Sequence, residues 1–100
     1  MIYHVIIRRL AEAELAESVA CYNLQGQGLG DQLLDAVNDA IRLLSENPKL
    51  HPHYYKDVRR AVVKRFPFLI YYQIRADATL RILRIVHAAR DPENVTKLLP

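Results

Sequence analysis

One hundred residues with 51% apolar content fit one small domain with one core, a size at which burial is limited and stability marginal. The lone cysteine, Cys21, excludes an internal disulfide and a thiolate metal cluster, which fits a reducing compartment. No apolar run reaches the roughly 20 residues that cross a bilayer and the opening lacks signal-peptide order, so a cytoplasmic location is expected. The net charge of +3 hides a polarised chain: residues 1–47 carry three Lys/Arg against seven acids, a net of −4, and residues 48–100 carry eleven against four, a net of +7. Such a basic half attracts phosphates or an acidic protein partner over a Debye length.

Ile2–Arg8 alternates with β-branched residues on both sides, which predicts a strand covered on most of its surface. Over Leu10–Leu24 the period changes to a helical one, with Leu15, Val19 and Tyr22 on one face and Glu12, Glu14 and Glu17 near the start, where acids suit the helix dipole. Cys21 falls inside this pattern and reads as a small buried residue. Gln25-Gly26-Gln27-Gly28 gives a turn between helices; no preceding strand and no following Lys-Ser/Thr make it a phosphate loop. A second helix is predicted over 29–46 from the spacing of Leu29, Leu33, Val37, Ile41 and Leu44, with Asp31, Asp35 and Asp39 on a solvated face. Asn47-Pro48 ends it.

The loop 47–57 holds His51, His53, Tyr54 and Tyr55; two imidazoles two residues apart lack the further ligands of a closed metal site, so no metal and no cofactor are expected. Strands are predicted at 58–65, 68–75 and 80–88, divided by Pro67 and by the hairpin Ala76-Asp77-Ala78-Thr79. Residues 91–99 read as a weak final helical turn or an added strand. The order β-α-α-β-β-β predicts an α+β fold, a helical hairpin packed on one face of an antiparallel sheet, with the opposite face left for a partner. Leu15, Val19, Leu33, Val37, Ile41, Leu44, Ile70, Tyr72, Ile82 and Val86 are expected to be mostly buried. Tyr71 and Tyr72 are neighbours on a strand and point to opposite faces, one to the core and one to the partner side. Phe66 and Phe68 are expected to plug the sheet–helix core.

The fragments YHVIIRRLAEAEL, GQGLGDQLLDAV and LLSENPKLHP, and above all VRRAVVKRFPFLIYYQI with ILRIVHAARDP, resemble the RelE/ParE superfamily of bacterial type II toxins in the family's order over nearly the whole chain. The resemblance is closer to the ParE branch, the plasmid stabilisation proteins. It implies one RelE/ParE-like toxin domain over 1–100, encoded beside an antitoxin that wraps it in a hetero-oligomer. RelE-type members cut messenger RNA in the ribosomal A site; ParE-type members poison DNA gyrase. On the family pattern Arg90 matches the strand-end arginine that RelE-type toxins place on the scissile phosphate, and Arg59 or Arg60 matches their sheet arginine. The chain departs from RelE in offering Lys56 without a run of lysines and in having no tyrosine in PENVTKLLP. The missing proton donor favours a non-enzymatic gyrase inhibitor, with a metal-independent, ribosome-dependent endoribonuclease as the alternative.

Metal-free RNA cleavage needs a base for the 2′-hydroxyl, cations for the phosphate and an acid for the leaving oxygen. On the nuclease reading Arg90, Arg59, Arg60 and His87 are the catalytic candidates, His87 lying three residues before Arg90. On either reading Arg59, Arg60, Lys64, Arg65, Tyr71, Arg84 and Arg90 are the candidates for contact with a partner or nucleic acid. Acids are scarce around these arginines, so an external anionic partner is expected to neutralise them.

Overall fold

The computed structural model describes residues 3–89 and 92–100. The chain runs β1 (His4–Ile7), α1 (Arg9–Gln25), α2 (Leu29–Glu46), β2 (His53–Tyr55), β3 (Val58–Val62), β4 (Phe68–Arg75), β5 (Thr79–His87) and α3 (Pro92–Lys97). The two long helices form because apolar residues recur at helical spacing and glycine interrupts them where the chain must reverse. Gly26 ends α1, and Gly28, at φ 80°, sits in the left-handed region just before α2. The Gly30 amide donates to Asn23 Oδ1 at 2.8 Å, satisfying one of the donors that a helix start leaves open. Gly30 is also where the helices touch most closely: a Cβ there would lie 2.1 Å from the Val19 carbonyl oxygen. Asn47 and Pro48 end α2.

One five-stranded sheet has the order β1-β5-β4-β3-β2. Its β3, β4 and β5 form an antiparallel meander, in the register Arg60↔Tyr71 and Tyr71↔Arg84. Two features go beyond the expected topology. β1 joins β5 in parallel, His4↔Thr79 to Ile7↔Ile82, because a strand delivered by a long helical crossover is not bound to the direction that a tight turn imposes. Part of the predicted loop 47–57 folds back as β2 and pairs with β3 through His53↔Arg59 and Tyr55↔Val58. Lys56 makes this turn at φ 52°.

Both helices of the hairpin lie on one face of the sheet, as expected. Leu33, Val37 and Leu44 of α2 pack there with Ile70, Tyr72, Leu80, Ile82 and Ile85, and Phe68 packs with Tyr22 and the half-buried Phe66. Leu15, Val19 and Ile41 sit at the rim, half-buried. Cys21 is exposed, contrary to the expected burial, because its position falls on the outward side of α1. The opposite face is not left open. Val58, Tyr71, Leu83 and Val86 form a second core, covered by Val95 and Leu99 from the C-terminal segment and flanked by Tyr54 and Tyr55. Val86 is buried as expected but belongs to this second core, not beneath the helices. A register shift makes the two faces meet: Tyr71 pairs with Arg84 and Tyr72 with Ile82, leaving Leu83 as an extra residue in β5. No helix among the described residues is long and apolar enough to cross a membrane.

The Gly30 contact generates a prediction. Gly30→Ala forces a methyl group against a backbone carbonyl that cannot swing away, and is expected to cost about 3 kcal/mol. Urea unfolding measures it; an unchanged midpoint would mean that the hairpin can separate without loss.

Candidate functional site

The basic side chains singled out by sequence divide by what they touch. Arg84 is 1% exposed, on the stretch of β5 that β1 does not reach. Its Nε donates to Glu14 Oε2 at 3.0 Å, its Nη2 is bonded to the same oxygen, and its Nη1 donates to the Val95 carbonyl at 3.2 Å. Glu14 Oε1 accepts the Ile85 amide at 3.2 Å. Arg84 is thus an internal clamp between α1, β5 and α3, and it leaves the set of cations facing outward. Glu14 was missed as a partner. It shares a helical face with Ala11 and Ser18, three before and four after, and that spacing was the available signal.

Arg59 lies on the helix-side face, opposite Tyr72. Its Nη1 donates to the carbonyls of His51 at 2.6 Å and Lys49 at 3.2 Å, so it pins the loop that follows α2. The Tyr72 hydroxyl pins the same loop by donating to the Pro48 carbonyl at 2.6 Å. Burial pushes that phenol up to about 12, opposed by the Arg59 charge. Burial first, and Arg59 second, hold the His51 imidazole below its ordinary value.

Arg60 is on the opposite face. Its guanidinium lies over the Tyr54 ring at 4.3 Å, and Tyr54 meets Tyr71 edge-on at 5.2 Å. Tyr71, expected on one reading to face a partner, is 2% exposed and roofed by this stack and by α3. Its hydroxyl is raised by burial, with a hydrogen bond to Arg60 opposing. On that face Arg60 stands opposite Tyr71, and the next pair along the strands, Val62 and Leu69, is apolar.

His87 pairs with Phe68, and their rings meet at 5.4 Å on the helix side of the sheet, where Cys21 and His87 line a cleft of about 530 Å³. His87 Nδ1 accepts the Ala89 amide at 3.0 Å, which leaves Nε2 as the N–H of the neutral ring. Arg60 is on the other face. Arg59 shares the face but stands four residues along β4 and two strands away, roughly 16 Å at ordinary strand spacings. The described candidates for RNA cleavage are therefore not gathered around one phosphate. Arg90 lies outside the described residues. Lys64 and Arg65 are exposed in the β3–β4 connection, Arg65 at φ 73°, and have no hydrogen-bond or ion-pair partner among the described residues. No group of three His, Cys, Asp or Glu side chains that could hold a metal ion occurs among the described residues.

Two outcomes follow. Glu14→Ala leaves a buried guanidinium without its carboxylate and is expected to cost about 3–5 kcal/mol in urea unfolding. Glu14→Leu with Arg84→Met should recover part of that loss, since no charge then stays buried. For His51 the lowered value means that the folded protein binds fewer protons there than the unfolded chain once pH falls below about 6.5. Stability should therefore fall on acidification through that window, and His51→Gln should show a smaller difference between about pH 7.5 and about pH 5. An equal difference in both proteins would remove His51 as a contributor.

Among known proteins, the family model described as "ParE toxin of type II toxin-antitoxin system, parDE" matches residues 5–92. None of the curated proteins matches the chain in sequence. Among solved structures, a chain of the chromosomal ParDE system from P. aeruginosa is similar with a TM-score of 0.76 at 19% identity, covering 86% of this chain and 96% of its own. A chain of the RelBE2 toxin-antitoxin complex from Mycobacterium tuberculosis aligns with a TM-score of 0.64 at 22% identity over 87% and 99% of the two chains. The isolated E. coli RelE toxin aligns with a TM-score of 0.56 at 15% identity over 97% and 99%. At these identities the structures establish the shared fold, and the family match over most of the sequence establishes membership. The chain belongs to the ParE toxin family of type II toxin-antitoxin systems.

Proposed function

We propose that this protein is a toxin that inhibits DNA gyrase, acts without a catalytic site of its own, and is neutralised by a cognate antitoxin in a hetero-oligomer that serves plasmid stabilisation. The family match supports the toxin role. The similar chains come from a ParDE system and a RelBE2 complex, which supports an antitoxin partner. The observation that carries the choice of target is the separation of His87 from Arg60 by the thickness of the sheet, and from Arg59 by roughly 16 Å within one face. A nuclease needs its proton-transfer group and its cations on one phosphate. Arg60 instead stacks on Tyr54, with apolar Val62 and Leu69 beside it.

The alternative, ribosome-dependent message cutting, rests on the RelE-like fold and on Arg90. One pair of assays separates them. Purified protein mixed with gyrase and supercoiled plasmid should accumulate cleaved DNA, while ribosomes programmed with message should yield no new message ends. Rapid codon-biased cutting by the purified protein would overturn the proposal.

A further inference from the structure

The face of the sheet away from the helical hairpin is covered unevenly. Val95 and Leu99 close it over Tyr71, Leu83 and Val86, but toward the turn at 76–78 it stays open, with Ile6 48% exposed. Alternation places Gln73 and Arg75 of β4, and Thr79 and Arg81 of β5, on this face with Tyr71 and Leu83. The register sets Arg75 opposite Thr79 and Gln73 opposite Arg81, so the two arginines stand on a diagonal, about 7–8 Å apart at ordinary sheet spacings. β1 adds His4 beside Thr79 and Ile6 beside Arg81. Asp77 at φ 60° and Ala78 at φ 54° make the turn that holds this register.

Like charges placed side by side on a sheet repel. No acid among the described residues pairs with either arginine: the ion pairs there are Arg42–Glu46 and Arg84–Glu14, and Asp57 accepts from Gln73 Nε2 at 3.1 Å. With its Nε2 committed to Asp57, the buried Gln73 turns Oε1 toward Arg75, whose Nη1 donates to it at 3.4 Å. Arg75 is thereby tied to the sheet by one of its five donors. Arg81 has no hydrogen-bond or ion-pair partner among the described residues. Both arginines, with Ile6, Ala76 and Thr79, line a cleft of about 320 Å³.

We propose that this cleft binds the phosphate of a nucleotide, free or within a strand, with Arg75 and Arg81 each donating to its oxygens and the Thr79 hydroxyl donating from beside them. Arginine suits this because its planar fork meets two phosphate oxygens at once, and two forks on one diagonal converge on one group. A carboxylate has two oxygens and fills one fork, whereas a phosphate presents enough for both arginines and the hydroxyl. The Thr79 hydroxyl makes only a long contact, 3.4 Å, with the Asp77 carbonyl, and is available to turn. Ile6 gives the sugar or base an apolar surface at the side. The site is separate from Arg59, Arg60 and Lys64, and it does not depend on which target the toxin has.

Titration of the purified protein with AMP, with adenosine and with an oligonucleotide lacking terminal phosphates, followed by NMR of the arginine Nε–H and Ile6 methyl signals, tests it. AMP or the oligonucleotide is expected to shift the signals of Arg75, Arg81 and Ile6, and adenosine, which has no phosphate, is not. Shifts with AMP identify a free nucleotide as the source; shifts with the oligonucleotide alone identify a strand. Arg81→Gln should weaken binding about tenfold, through the loss of one charge-assisted fork. Lys64→Gln with Arg65→Gln removes more charge elsewhere and should leave binding unchanged. Thermal melting checks that each variant is folded, and Arg75→Gln carries the test if Arg81→Gln is not. The proposal is overturned if neither phosphate ligand shifts these signals, if adenosine shifts them as far as AMP does, or if the Lys64 and Arg65 variant loses as much binding as Arg81→Gln.

Discussion

β1 stops at Ile7, opposite Ile82, but β5 continues to His87. Beyond Ile82 no strand pairs with this edge of β5, and a buried backbone group left there without a partner would be costly. One carboxylate resolves the problem. Glu14 takes the Ile85 amide with one oxygen and the Arg84 guanidinium with the other. That choice fixes how α1 lies along β5, since a helix held at Glu14, in its second turn, by two groups of one strand is tied against sliding or rolling. Arg84 carries the constraint to the far side by reaching the Val95 carbonyl.

α3 depends on this arrangement. A helix of six residues does not persist in water unaided. Two arginines hold its exit: Arg8 donates to the Leu98 carbonyl at 2.7 Å and Arg84 to that of Val95 at 3.2 Å. Val95 and Leu99 then bury themselves on Tyr71, Leu83 and Val86. A buried ion pair adds little net stability over an apolar replacement, but losing one partner is expensive. Its value here is geometric, because one pair sets the positions of three elements.

The helical hairpin and the meander were legible in the sequence because each is written in local signals. Spacing over 29–46, glycines at the reversal and proline after α2 identified the helices; alternation and the turn at 76–79 identified the strands. The direction of β1 was not legible, since nothing in Ile2–Arg8 records which neighbour it will meet. Nor was β2, whose three residues gain their extended form from pairing with β3. The second core escaped because Tyr54, Tyr55, Val95 and Leu99 lie in segments with weak periodicity and come together only through the sheet. Among the site residues, position was readable and surroundings were not. Arg84 looks like any other arginine of an apolar strand until the register shift at Leu83 and the helix beyond the edge are known.

The arginines show why a count of charges answers one question and not another. Net charge governs the field at long range, and burying Arg84 against Glu14 leaves that sum unchanged, so steering of an anionic partner toward the basic half survives. Recognition at contact requires cations whose hydrogen-bonding groups are free. Arg84 spends its donors inside the fold, Arg59 commits its Nη1 to the carbonyls of the loop after α2, and Arg60 rests on Tyr54. Lys64 and Arg65, which the sequence placed at the close of a strand, keep theirs. Long-range attraction therefore belongs to the whole basic half, whereas recognition at contact can draw only on cations whose donors the fold leaves free.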